Sequence, residues 1–170
     1  MTTGKQIEGK PLISLTDGKK VGEVKDLYLD ETLNRISGVF VGWEGLLNRK
    51  DFAVDRASIQ LMGIDAWLVQ DANVVLPPNE ILNSARFVAL HDLRGREIVS
   101  EGGTPIGAVD DVLIDQAGTV LGFTLGKIQV KGTLAERKAI ARSAITTIGG
   151  KQAAMTANVA QAEATGIPQS

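Results

Sequence analysis

Val21-Gly22-Glu23-Val24-Lys25-Asp26-Leu27-Tyr28-Leu29-Asp30 has a counterpart later in the chain, Ile106-Gly107-Ala108-Val109-Asp110-Asp111-Val112-Leu113-Ile114-Asp115. In each stretch a Gly precedes an aliphatic pair, Leu27/Leu29 or Val112/Ile114, that alternates with Asp26, Tyr28 and Asp30 or with Asp111, Leu113 and Asp115. A period of two puts such a pair on one face of a β-sheet. The stretch is a strand, and its recurrence makes it half of a repeat.

The correspondence extends in both directions. Ile7-Glu8-Gly9-Lys10-Pro11-Leu12 aligns with Leu93-Arg94-Gly95-Arg96-Glu97-Ile98 at an offset of 86 (93 − 7), while Gly22 and Gly107 differ by 85 (107 − 22) and Gly38 and Gly122 by 84 (122 − 38). Arg56-Ala57-Ser58-Ile59 and Arg142-Ser143-Ala144-Ile145 return to 86 (142 − 56), as do Gly63 and Gly149 (149 − 63). The drift falls in turns: Thr16-Asp17-Gly18-Lys19 faces Gly102-Gly103-Thr104, and Thr32-Leu33-Asn34 faces Gln116-Ala117-Gly118. These are compositions that close hairpins. Two copies of a unit of roughly 80 residues follow, and the expected fold is all-β, two tandem small β-barrels.

Strands are expected over Lys10–Leu15, Val21–Asp30, Arg35–Trp43, Phe52–Val54 and Ala66–Val69, with Asn73–Leu76 either a last strand or the start of a linker. Pro77-Pro78 removes two backbone donors and marks a boundary. The division is a first barrel over 5–76, a linker over 77–90, a second barrel over 91–155 and a disordered tail over 156–170. Phe87-Val88-Ala89-Leu90 gives the second copy an apolar lead-in that the first lacks in this form. Ala135–Arg142 has helical propensity, but its second half aligns with Phe52–Arg56, so Ala139-Ile140-Ala141 is assigned as strand after at most a helical turn.

Of the 170 residues, 44% are hydrophobic and 19 are Gly, as suits short strands joined by tight turns. Lys and Arg number 18 against 20 Asp and Glu, a net charge of −2 that exerts no strong pull on polyanions. The chain has no Cys, which excludes disulfides and thiolate metal sites. No uncharged stretch approaches the roughly 20 residues of a membrane helix, and Met1–Gln6 lacks the apolar core of a secretory signal. Cytoplasmic residence is the expectation.

The pattern Gly-[Lys/Arg]-x-aliphatic, a Gly-containing turn, x-Gly-x-Val-x-Asp-aliphatic-x-aliphatic-Asp and then an aliphatic-x-Gly strand resembles the PRC-barrel family, over about residues 5–76 and again over 91–155. That family includes the cytoplasmic domain of the photosynthetic reaction-centre H subunit and the carboxy-terminal domain of a ribosome maturation factor. The resemblance implies a small closed or nearly closed β-barrel used for protein contact and assembly, with no catalytic residues to carry over. The sequence departs from both: it lacks the membrane-spanning helix of the H subunit, and it has another barrel where the maturation factor has a different amino-terminal domain.

The residues themselves offer little reaction chemistry. His91 is the only histidine, and with Asp92 and Ser100 it sketches a nucleophilic triad, but sequence neighbours rarely form one and no Gly-x-Ser-x-Gly elbow is present. Asp26/Asp30 and Asp110/Asp111/Asp115 offer carboxylates to a cation, yet at strand spacing the outer members of each set lie roughly 13 Å apart. The last Asp of each copy is expected to accept amides of the following turn. Lys19-Lys20, Arg49-Lys50 and Arg137-Lys138 are basic pairs, but seven aromatics are few for a base-stacking platform. No catalytic, cofactor or metal residues are assigned.

The function expected is a non-catalytic protein-binding adaptor or assembly module. The alternatives are a ribosome-maturation or RNA-associated factor and a soluble accessory of a reaction centre or other membrane complex, held peripherally. A homodimer through strand edges is a further option. Trp43, Leu46 and Leu47 are the candidate partner contacts, set against the alternative that Trp43 plugs a barrel end and the leucines cap it. The second copy has the more polar Gln129-Val130-Lys131-Gly132 near that place.

Overall fold

The alternation in the repeated stretch holds in three dimensions: Leu27, Leu29, Val112 and Ile114 are all buried in one hydrophobic core. The computed structural model describes residues 1–150 and 152–169. The first copy comprises β1 (Thr2–Thr3), α1 (Gly4–Ile7), β2 (Pro11–Ser14), β3 (Lys20–Glu23), β4 (Asp26–Leu29), β5 (Ile36–Glu44), β6 (Lys50–Asp55), β7 (Ile59–Met62) and β8 (Trp67–Val69). The second comprises β9 (Val88–Ala89), α2 (Leu90–Leu93), β10 (Glu97–Ser100), β11 (Pro105–Ile114), β12 (Val120–Gly126), α3 (Thr133–Arg137), β13 (Ala139–Ala141), β14 (Ile145–Thr147), β15 (Met155–Ala157) and α4 (Val159–Ala164). The fold is mostly β, with these short helices at its corners.

Both copies follow one plan. An antiparallel hairpin, β2–β3 or β10–β11, is joined by a parallel strand, with Leu12 opposite Trp67 in one copy and Ile98 opposite Met155 in the other. Gly38 and Gly122 recur because the neighbouring strand passes close. A Cβ at either would run into the carbonyl of Val54 or of Ile140.

The expected closed barrels do not form. The first copy splits into two four-stranded sheets, β3-β2-β8-β7 and β6-β5-β4-β9, and the second is an open sheet ordered β13-β12-β11-β10-β15-β14 with β1 added alongside β11. Val24 accepts from Gly9 and donates to Lys10, yet β3 ends at Glu23 and β4 begins at Asp26, whereas Val109 makes the equivalent bonds to Gly95 and Arg96 within an unbroken β11. The 3-10 turns Arg56–Ser58 and Arg142–Ala144 then separate β6 from β7 and β13 from β14. The first copy is interrupted at both places and the second at the 3-10 turn alone, and each interruption leaves edges.

The copies are interlocked through their leads. β1 pairs with β11 of the second copy, Thr2 opposite Ile114, and β9 pairs with β4 of the first, Val88 opposite Leu29. Ile36 N–H donates to Gly118 (2.8 Å) and Val120 N–H to Asn34 (2.9 Å). Donors and acceptors are each separated by 84 (120 − 36, 118 − 34), which makes the two bonds mates across a pseudo-two-fold axis. Arg56 reaches the carbonyl of Ala117 and Arg142 those of Thr32 and Leu33, so each copy clamps the other's turn. Accordingly, one hydrophobic cluster contains residues of both copies.

Two further expectations need revising. The 156–170 segment is not a disordered tail over its described part. Met155–Ala157 pairs with both β10 and β14, the Asn158 side chain caps α4, and Ala162 is buried. The Arg137 guanidinium donates to the carbonyls of Ala162 and Thr165, both at 2.9 Å, and Ile167 packs on Leu113, Leu121 and Ala139. One cap and two scattered apolar contacts carry no period, so the composition read as disorder. Ser170 lies outside the described residues. Asn73–Leu76 is not a strand: Ala72–Val74 forms a 3-10 turn and Leu76 alone bridges to Ala53. Within 77–90 the chain makes two more 3-10 turns, buries Ile81 and ends as the exchanged β9 and the start of α2.

Candidate docking site

At the end of the first copy the hairpin of β5 and β6 leaves the body. A register shift between Phe40 and Gly42 (φ 118°) bends β5, after which Trp43 pairs with Asp51 and Glu44 with Lys50. Bulges of this kind twist a strand away from its sheet. At the tip, beyond Gly45, Leu46 is 99% and Leu47 97% exposed. Trp43, half exposed, lies under the Arg49 guanidinium at 5.4 Å, and Arg49 is held by Asp51 at 2.7 Å. All three candidate contacts thus share one arm. The plug-and-cap alternative is not what the chain does, because the bulge carries the leucines off the body.

The arm overlooks a shallow groove of about 510 Å³ lined by Val21, Val41, Trp43, Phe52 and Val75, with Lys25 and Glu44 at its rim. Two exposed leucines leave unused roughly 1.5–3 kcal/mol each of transfer free energy that burial by a partner would supply.

The sequence also offered acids, and the structure gives them structural duties. Asp26 and Asp111 are buried at equivalent places, and each faces the lead helix of the other copy. Asp111 accepts the Lys5 amide (2.9 Å) and Arg94 Nη2 (3.1 Å), while Asp26 accepts the His91 amide (3.5 Å) and His91 Nδ1 (2.9 Å). Glu8 and Arg94, which occupy the same repeat position (94 − 8 = 86), pair with each other at 2.7 Å. Asp30 accepts the amide of Asn34, and Asp115 those of Ala117 and Thr119, so the last Asp of each copy caps its turn as expected.

His91 forms no triad with Ser100. Its Nε2 lies 3.0 Å from Asp92 and its Nδ1 on Asp26, so both nitrogens face carboxylates. Ser100 Oγ instead accepts the Thr104 amide. The Asp26 bond raises the His91 pKa, and the Asp92 charge adds to the effect. Of the basic pairs, Arg137 is turned inward onto the C-terminal carbonyls and Arg49 onto Trp43 and Asp51.

Sequence reading missed the exchanged leads and the buried roles of Asp26 and Asp111. The opposite charges at Glu8 and Arg94, positions the repeat makes equivalent, were the available signal that the copies meet there.

This architecture, two open-sheet units of one plan sharing a core, is that of a tandem β-module. The PRC-barrel domain model matches it twice, over residues 2–70 and 85–147, and the chain belongs to that family. Each match takes in its copy's exchanged lead. No curated protein matches the chain. Among the described residues, no helix is long and apolar enough to cross a membrane.

Proposed function

We propose that the chain is a non-catalytic adaptor or assembly module whose arm, Trp43 with Leu46 and Leu47, docks a protein partner in the cytoplasm. The observation that carries this reading is the pair of nearly fully exposed leucines at the tip of the β5–β6 hairpin beside a half-exposed, cation-capped Trp. Aromatic and aliphatic anchors of this kind dominate contact energies. The family's usual role as an interaction or assembly module supports the same reading.

Affinity capture from native lysate with the wild type and with Leu46→Asp/Leu47→Asp tests it. The variant is expected to stay folded and to lose the partner that the wild type recovers. Equal recovery by the folded variant would remove the arm from recognition.

A further inference from the structure

The two copies differ most at one place, and the difference describes a ligand. In the second copy the chain leaving β12 turns back over the body: Gln129 N–H donates to the Ile106 carbonyl (2.8 Å), Ile128 and Val130 pack on the core, and Leu134 of α3 is fully buried. In the first copy the equivalent chain leaves with the arm. No loop amide among the described residues bonds to Val21, the counterpart of Ile106 (106 − 21 = 85), and Val21 is only partly buried.

The glycines measure the gap. A Cβ on Gly107 would lie 2.9 Å from the Gly126 carbonyl, whereas one on Gly22 would meet nothing nearer than Val41 Cβ at 3.6 Å. β3 is accordingly the free edge of its sheet, beside the groove of Val21, Val41, Phe52 and Val75. Residues 19–25 and 44–51, which supply Val21, Lys25 and Glu44 to its lining, carry Lys19, Lys20, Lys25, Arg49 and Lys50 against Glu23, Glu44 and Asp51. That is an excess of two cations (5 − 3), in which Glu23 pairs with Lys20 and Lys25 and Asp51 with Arg49.

We infer that this groove receives an extended segment of a partner protein that supplies what the first copy lacks. Its backbone adds to the β3 edge, a branched aliphatic side chain sits on Val21, Val41 and Phe52, and acidic flanking residues face the lysines. Strand addition with one side-chain pocket is an established mode of peptide capture, and in copy two the chain's own Gln129 makes one backbone bond of this kind to Ile106. The inference rests on the docking role proposed above and names the partner's chemistry.

The test uses the ¹⁵N-labelled full chain and the acetylated peptide EIQVEGTLAE, which is the 127–136 sequence with Lys127→Glu and Lys131→Glu. Saturable amide shifts are expected over Lys20–Glu23 and at Val41 and Phe52. Binding should weaken roughly tenfold with the lysine-containing parent peptide, or with the exposed-rim variant Lys20→Glu/Lys50→Glu. Leu46→Asp/Leu47→Asp should still bind the peptide, so an arm that fails in lysate capture does not sink the groove.

Three results would overturn the inference. One is the absence of saturable shifts at millimolar peptide. Another is shifts confined to residues 43–49, which would leave arm docking intact. The third is self-association without peptide that perturbs the same β3 amides, which would assign the groove to a second copy.

Discussion

Asp111 is the residue whose removal the fold should notice most. It is almost fully buried, caps the Lys5 amide across the interface and holds Arg94, which also binds Glu8. Removing Asp111 leaves the Lys5 amide without this acceptor and Arg94 with Glu8 as its remaining carboxylate, in a site where an unmet polar group is costly. Asp111→Ala should therefore destabilise by about 3 kcal/mol in urea unfolding. Asp26→Ala, whose partner His91 stands largely in solvent, should cost about 1 kcal/mol. Equal losses would contradict the asymmetry. His91 supplies the pH dependence. Its pKa is raised in the folded state by the Asp26 bond, so its contribution is complete below the unfolded value of about 6.5 and is lost as pH rises through the folded value. The urea midpoint should fall gently across that interval in the wild type and lose this step in His91→Gln; an unchanged step would place the titration elsewhere.

At the scale of elements, two attachments decide local stability. Deleting residues 1–7 removes β1 and α1 and should bare the β11 edge, so Leu113 and Ile114 amides of the second copy should exchange faster than Tyr28 and Leu29 of the first. Preferential exchange in the first copy would contradict the exchanged pairing. Arg137→Ala should loosen α4 and lower stability by about 1–2 kcal/mol, through the two carbonyl bonds it makes. In contrast, Leu46→Asp/Leu47→Asp should leave thermal stability within about 0.5 kcal/mol, because exposed positions rarely contribute more.

These elements also show what the sequence discloses. Strands with strict alternation, such as Asp26–Leu29, and the recurrence of Gly38 at Gly122 were legible because local sterics and a repeated core face write themselves into spacing. The assignment of Ala139–Ala141 as strand against helical propensity came from the repeat alone, and β13 occupies it. The exchange of β1 and β9 was not legible, since a two-residue strand pairs by backbone and leaves almost no side-chain pattern. Closure failed as an expectation for a related reason: whether an edge meets its neighbour depends on 3-10 corners at Arg56–Ser58 and Arg142–Ala144, which three residues each determine. Of the site, Trp43, Leu46 and Leu47 were visible as apolar residues in a turn, while their distance from the body followed from the bulge at Phe40–Gly42.

Across the whole molecule, the arrangement is that of a two-fold dimer written into one chain. Equivalent residues face each other at the axis, Arg35 with Thr119 in an isolated bridge and Glu8 with Arg94 in an ion pair, and each copy lends the other a strand and a clamping Arg. Isologous contacts of this kind are the rule in symmetric dimers. Covalent linkage then permits the halves to diverge, and they have done so where the first copy projects an arm and the second seals itself with α3. The most direct test of this interlocked design is native-state hydrogen exchange on the full chain, comparing the slowest amides of β4 with those of β11 and β12. One shared opening free energy, lowered equally in both copies by Asp111→Ala, is the predicted result; separate opening energies, with the variant affecting only one copy, would contradict it.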